Sequence, residues 1–358
     1  MATYPNEMRV AMLRSVDNIA IERVAVPRLG EGELLVRTYA AGICSGDIMA
    51  WYVERKAPLV LGHEPAGEIV AVGPGEAPYD DDGRPFAAGD RVFVHHHAPC
   101  FSCAACARGD YVQCATWRAT RIDPGAIAEY FRVPRENLRD TLRIPDSLSY
   151  VDASLVEPLA CVVKSLRRGA LQSRDRVLCI GLGVMGLMHV ALARHRGAEV
   201  LGSDPLPQRR EVARALGARV LAPDGLAAAL ASWGDGSGAD LVICGPGSSA
   251  ALRAAFEACA PGGRVVMFTP LEPGARFDFD PAAFYFGDRR LIASYSCGPD
   301  DTREALELLA SGSISAEKLG ATLRPFEEVA AAYADLRAAR CIKPIITFGG
   351  SIQKSLDN

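Results

Sequence analysis

This chain predicts an α/β fold in two parts, a strand-rich first half and a doubly wound parallel sheet in the second. Three observations carry that reading. From Met8 onward the residues alternate apolar and polar, MRVAMLRSVDNIAIERVAVP and then GELLVRTYAAGIC, broken by Pro27, Gly30 and Gly32; this is strand and hairpin patterning. From Arg176, RVLCIGLGVMGLMHVALARHRGAEVLGSD sets a buried strand, a glycine turn, an apolar helix and a second strand in succession. Beyond it ADLVICGPG, GGRVVMFTP and LIASYS alternate with Ala- and Leu-rich stretches such as LAAALASWG and ALRAAFEACA, the order that builds a parallel sheet covered by helices.

The length agrees. At 358 residues the chain suits two domains of about 100–200 residues each, enough to bury a core without staples. A net charge of −4 and a pI near 5.9 argue against nucleic acid or an anionic membrane as partner. No run approaches the roughly 18 apolar residues of a membrane span, and MATYPNEMRV lacks the core of a signal peptide. Eleven cysteines without a secretion signal read as thiols and metal ligands, which implies the cytoplasm. The acidic DDD at 80–82 reads as a solvated loop.

Cys44 to Glu64 concentrates the chemistry of the first half. A cysteine, a His63-Glu64 pair and a nearby carboxylate are the donor types of a catalytic zinc, which keeps one coordination position open. Asp47 suits the role of a partner for the His63 imidazole, turning its other nitrogen to the metal. Further on, Cys100, Cys103, Cys106 and Cys114 stand as C-x2-C-x2-C-x7-C. Four thiolates fill a tetrahedral zinc and leave no room for substrate, so that site is structural, and its lobe, about residues 98–116, depends on the metal to fold. His95, His96 and His97 lead into the lobe. In an extended segment neighbouring side chains point to opposite faces, so the three do not converge on one ion. Glu157, in the apolar run VDASLVEPLACVVKSL, is costly there unless paired or bound; a carboxylate facing a helix N-terminus is the plainer alternative.

In the second half Gly181, Gly183 and Gly186 form G-x-G-x-x-G between a strand and a helix. Such glycines allow a tight turn, close approach of backbone to a pyrophosphate, and close packing of helix on strand. Val184 and Met185 begin the helix whose amides would hold phosphate. Asp204 lies about 20 residues on, where a carboxylate accepts bonds from a ribose 2′-hydroxyl and repels a 2′-phosphate. That favours NAD over NADP, with Arg209 and Arg210 as the residues that could accommodate the phosphate.

Together these motifs resemble the zinc-dependent medium-chain dehydrogenase/reductase family, its alcohol and sorbitol-type polyol dehydrogenases, over essentially the whole chain. The resemblance implies a GroES-like β-barrel catalytic domain (1–157 and 295–358) and a Rossmann NAD-binding domain (158–294). It implies two zinc ions per subunit, a homodimer or homotetramer, and NAD-linked hydride transfer between a secondary alcohol and a ketone. Glu157 matches a position that completes the catalytic zinc shell directly or through water, and Arg209 one beside the adenine. His96, Trp117 and Thr120 match positions lining the substrate site. Two departures stand out. Family members usually carry Ser or Thr two residues after the ligand cysteine, to pass a proton outward, but here that position is Gly46 and the hydroxyl is Ser45. Water, His96 or Ser45 would then carry the proton. The sugar-binding arginine of sorbitol dehydrogenases is replaced, without gaps, by Cys297. The expected activity is that of a polyol, sugar or cyclitol dehydrogenase. Alternatives are an enzyme of a smaller aldehyde, ketone or amino alcohol, or a non-catalytic NAD-binding protein.

Overall fold

The computed structural model describes residues 4–349, so the tail expected at 350–358 lies outside the described residues. The chain divides into two units, each described by itself. One runs up to Ala160 and resumes over Cys297–Ala316 and from Ala321; the other comprises Cys161–Ser296 and Glu317–Gly320. The expected divisions were at 157/158 and 294/295, and no sequence signal marked the four-residue excursion at 317–320.

The first unit contains β1 (Glu7–Ser15), β2 (Asn18–Ala25), β3 (Leu34–Gly42), β4 (Leu59–Val60), β5 (Glu64–Val72), β6 (Arg91–Val94), β7 (Tyr130–Val133) and β8 (Thr141–Arg143). β1 pairs with β2 and β4 in a small sheet, and β3 is the hub of a larger one, antiparallel to both β5 and β7. That position explains its composition: LLVRTYAAG is buried at almost every residue rather than at alternate ones. Leu34 and Val36 pack with Ile69, Val92 and Phe131 in the unit's main apolar cluster. The histidine run follows the end of β6 rather than lying within it.

The second unit is one parallel sheet of six strands: β9 (Arg176–Ile180), β10 (Glu199–Ser203), β11 (Arg219–Leu221), β12 (Ala239–Cys244), β13 (Cys259–Met267) and β14 (Arg290–Ala293). Their spatial order is β11-β10-β9-β12-β13-β14. β9 and β12 hold the middle and are almost wholly buried, as strands covered on both faces must be. At the end of the sheet β14 is largely exposed, with Leu291 at 44 % and the preceding Tyr285 and Phe286 at 77 % and 85 %.

β15 (Ala321–Pro325) and β16 (Lys343–Thr347) belong to the first unit's sheet, whose order is β15-β16-β3-β5-β6-β8. The sequence suggested only one strand here. β15, with the turn and helix Phe326–Arg337, makes the crossover needed for two parallel neighbours. β16 lies antiparallel to the last residues of β3.

Candidate active site and metal centres

Cys44 leaves β3 and opens the short turn Ser45–Ile48, where its Sγ accepts a hydrogen bond from Gly46 N at 3.3 Å. His63 precedes β5 and Glu64 is its first residue. The antiparallel register sets Gly42 opposite Glu64, which brings the end of one strand to the start of the other. The donor atoms of Cys44, His63 and Glu64 lie within 4.8 Å of one another. Asp47 is buried beneath them, its Oδ2 3.7 Å from His63 Nδ1, and Tyr333 Oη donates to it at 3.5 Å. The carboxylate thus faces Nδ1, which leaves Nε2 for a metal. Burial opposes charge on His63, but Asp47 and then Cys44 more than offset it and hold the imidazole pKa well above its usual value.

Glu64 brings a feature that no sequence signal announced. It forms a buried ion pair with Lys343 of β16, each side chain about 1 % exposed, and Lys343 Nζ also donates to Ile43 O at 2.9 Å. Gly42 makes room for the pair: a Cβ there would lie 2.0 Å from Glu64 Oε2 and 3.0 Å from Lys343 Nζ.

Glu157 stands in the first turn of the helix Val156–Arg168. Burial raises the Glu157 pKa, and its charge reaches His63. Its carboxylate nevertheless groups with His95 and Cys297 rather than with Cys44 and His63. The carboxylate that meets this spacing with Cys44 and His63 is that of Glu64.

His96 lies with its ring centroid 4.9 Å from His63, and its buried Nδ1 has no hydrogen-bond partner among the described residues. Burial, then His97 and His63, pushes its pKa well below the usual value. A neutral imidazole of that kind is a good hydrogen-bonding group and a poor proton acceptor. Trp117 and Thr120 are turned inward. Trp117 is 2 % exposed, packed with Cys106, Val112 and Cys114, and 4.3 Å from the His97 ring. The Thr120 hydroxyl accepts from Ala98 N at 2.9 Å and donates to Ala98 O at 3.1 Å. These contacts seat the lobe against the segment that carries the three histidines. At Gly46 an added Cβ would meet Cys44 Sγ at 3.4 Å, an ordinary contact, so space alone does not exclude a hydroxyl side chain there.

The four lobe cysteines come together as their spacing implies. Cys103 and Cys106 Sγ are 3.5 Å apart, Cys100 and Cys106 3.9 Å. Four thiolates about 2.3 Å from a tetrahedral zinc lie about 3.8 Å from each other, so the donor set fits that ion. In the second unit, the backbone at Gly181 has φ +83°, and a Cβ on Gly186 would lie 1.9 Å from Gly181 O. Gly183 caps the helix Val184–His195, and the nearest atom to a Cβ there is Arg209 Nη1 at 4.0 Å. An open approach to the first amides, at Val184 and Met185, suits a pyrophosphate. Asp204 ends the β10 segment, accepting from Leu182 N at 2.7 Å and Leu206 N at 2.8 Å, with Arg209 Nη1 at 3.6 Å. The same carboxylate therefore braces the glycine turn.

Comparison with known proteins agrees with this geometry. Residues 30–146 match the alcohol dehydrogenase GroES-like domain and residues 184–311 the zinc-binding dehydrogenase family. Sorbitol dehydrogenase of Bacillus subtilis is 31 % identical over 336 residues, covering 88 % of this chain and 90 % of that protein. L-threonine 3-dehydrogenase of Pyrococcus horikoshii is 34 % identical over 282 residues, 75 % of this chain and 78 % of that protein. A solved structure described as a zinc-binding dehydrogenase from Sinorhizobium meliloti 1021, bound to NADP, superposes with a TM-score of 0.83 at 27 % identity, covering 96 % of this chain and 100 % of that one. With an open Cys-His-Glu set, a closed four-cysteine lobe and a dinucleotide turn on one chain, the protein belongs to the zinc-type medium-chain alcohol and polyol dehydrogenases, oxidoreductases of small alcohols and ketones.

Proposed function

We propose that the enzyme interconverts a secondary alcohol and its ketone on a polyol, sugar or cyclitol, with NAD as preferred cofactor. The observation that carries the reading is the open set of Cys44, His63 and Glu64 beside a neutral His96 with a spare, buried Nδ1. A zinc there would supply Lewis acidity, and the nicotinamide would accept the hydride. The chain's own residues do the rest. Asp47 orients His63, and Lys343 balances the charge of Glu64, leaving the Cys44 thiolate as the remaining negative ligand. His96 offers a hydrogen bond to a second substrate hydroxyl. With Gly46 bare and His96 weakly basic, the proton leaves through water or Ser45.

A second reading, an amino alcohol, is supported by the likeness to L-threonine 3-dehydrogenase. For the cofactor, Asp204 supports NAD, while Arg209 close by and the NADP-bound neighbour support the alternative. One experiment separates these. Zinc-loaded enzyme is assayed on polyols, aminocyclitols, amino alcohols and simple alcohols, with NAD and NADP in parallel. The expected result is turnover of vicinal polyols with NAD, abolished in Cys44→Ser. Equal or faster turnover with NADP overturns the cofactor assignment, and turnover confined to amino alcohols overturns the substrate class.

The exposed β14 edge, with Leu291, and the exposed Tyr285 and Phe286 of the preceding helix support a homo-oligomer, dimer or tetramer, built by pairing such edges. Sedimentation of the wild type as a dimer or larger, and of Leu291→Lys as a monomer, is the expected outcome; a monomeric wild type rejects it. No disulfide joins any of the eleven cysteines, which supports a reducing compartment such as the cytoplasm. Among the described residues no helix is long and apolar enough to cross a membrane.

A further inference from the structure

We propose that His95, Glu157 and Cys297 hold a further divalent metal ion, of zinc type, buried next to the Cys44–His63 site. The three residues are 0 %, 5 % and 0 % exposed, and their donor atoms lie within 4.8 Å of one another. Cys297 Sγ is 3.6 Å from His95 Nε2. A sulfur about 2.3 Å and an imidazole nitrogen about 2.0 Å from a tetrahedral zinc stand about 3.5 Å apart, so the pair is already at ligand spacing.

The imidazole is also oriented as a ligand. Its Nδ1 is hydrogen-bonded to Asp140 Oδ2 at 2.6 Å, and Thr302 Oγ1 donates to the other oxygen of that carboxylate at 2.6 Å. Asn137 Nδ2 fixes the backbone by donating to His95 O at 2.9 Å. This is the carboxylate–histidine arrangement that fixes the tautomer and frees Nε2 for a metal. Charge points the same way. One thiolate, one carboxylate and a neutral imidazole cancel a dication, so the filled site is neutral in a dry interior, where an uncompensated charge is costly. A mixed sulfur, nitrogen and oxygen donor set with tetrahedral spacing suits zinc better than magnesium or calcium. The Glu157 carboxylate interacts electrostatically with both His95 and His63, so filling one set changes the charge that the other meets.

The rival occupant is a proton: a Cys297 thiol hydrogen-bonded to His95, with no metal. Metal content decides. Full-length protein is stripped with chelator, reloaded with Zn²⁺, desalted, and counted by native mass spectrometry and elemental analysis. Three ions per chain are expected in the wild type, two in Cys297→Ser, two in Cys44→Ser and one in the double variant, the last being the lobe ion. Protein whose lobe keeps zinc while Co²⁺ fills the remaining sites should show, in Cys44→Ser, a thiolate-to-cobalt charge-transfer band that Cys297→Ser removes. If Cys297→Ser does not fold, Asp140→Asn keeps all three ligands, and loss of the orienting bond should weaken the inner ion about 10–100-fold in a chelator competition. Two ions in the wild type, or an unchanged count in Cys297→Ser, overturns the proposal. So does an Asp140→Asn variant that releases its metals as the wild type does.

Discussion

Replacing Lys343 with methionine is expected to lower the stability of the metal-free protein by about 3–5 kcal/mol. Lys343 and Glu64 are both about 1 % exposed, and Lys343 also serves Ile43 O. Taking away the ammonium leaves a carboxylate in the interior with its countercharge gone, which is far costlier than removing the pair together. For a unit of roughly 200 residues such a loss moves the midpoint by about 2–4 °C per kcal/mol, a drop large enough to read by thermal denaturation. The double variant Glu64→Gln/Lys343→Met should recover most of it. Zinc should also recover part, because a cation at Cys44 and His63 becomes the missing countercharge for Glu64. Gly42→Ala should resemble the single variant, since its Cβ would occupy the space of the pair. A Lys343→Met protein that melts with the wild type, with and without zinc, would show that the carboxylate reaches water.

Cys106→Ser is expected to cost the lobe its metal and its structure. The lobe has only a small apolar cluster, Cys106, Val112, Cys114 and Trp117, too little to offset the entropy of ordering it. Binding of a structural zinc is worth about 10–16 kcal/mol in small peptides, so the ion dominates its folding. In the thiol form, burial, then Cys103 and Cys114, pushes the Cys106 thiol up to about 12. The Cys106 thiol therefore resists losing its proton until a cation replaces it. The damage should extend beyond the lobe. The Trp117 ring lies against that of His97, which adjoins His96 near His63, so turnover should fall together with protease resistance around 100–114. A red shift of Trp117 emission would report the same opening. Retention of every metal ion and an unchanged melting profile in Cys106→Ser would refute this account.

What the sequence disclosed follows from how each feature is encoded. The lobe and the glycine turn are local: a few residues at fixed spacing suffice, and the structure gathers them as spaced. Cys44, His63 and Glu64 were legible from residue type and from resemblance. The features that escaped reading depend on partners distant along the chain. Lys343 lies 279 residues from Glu64, and Cys297 lies 202 from His95. Of three adjacent histidines, the sequence drew attention to His96. Burial and the carboxylate of Asp140 single out His95 instead, through a contact spanning 45 residues. Trp117 and Thr120 show the same dependence. Resemblance transfers a position, whereas the direction of a side chain depends on what packs around it here. β15 was missed because ATLRP carries little apolar alternation and owes its extended form to β16.

The place of β16 bears on how the protein is made. Its residues Ile345, Ile346 and Thr347 pair with Gly42, Ala41 and Ala40, the strand that delivers Cys44. Chains emerge from the ribosome at about 5–20 residues per second, and domains generally fold as units during synthesis. The six-stranded parallel sheet has all its strands once Ala293 has been made. The sheet begun by β3, β5, β6, β7 and β8 must wait for β16, which begins about fifty residues beyond Ala293 and carries Lys343 itself. Until residue 347 is translated, the hub strand keeps an open edge beside the nascent metal ligands, ready to pair with another chain. The segment that carries the metal ligands is thus among the last to reach its final form, although it is made before the parallel sheet.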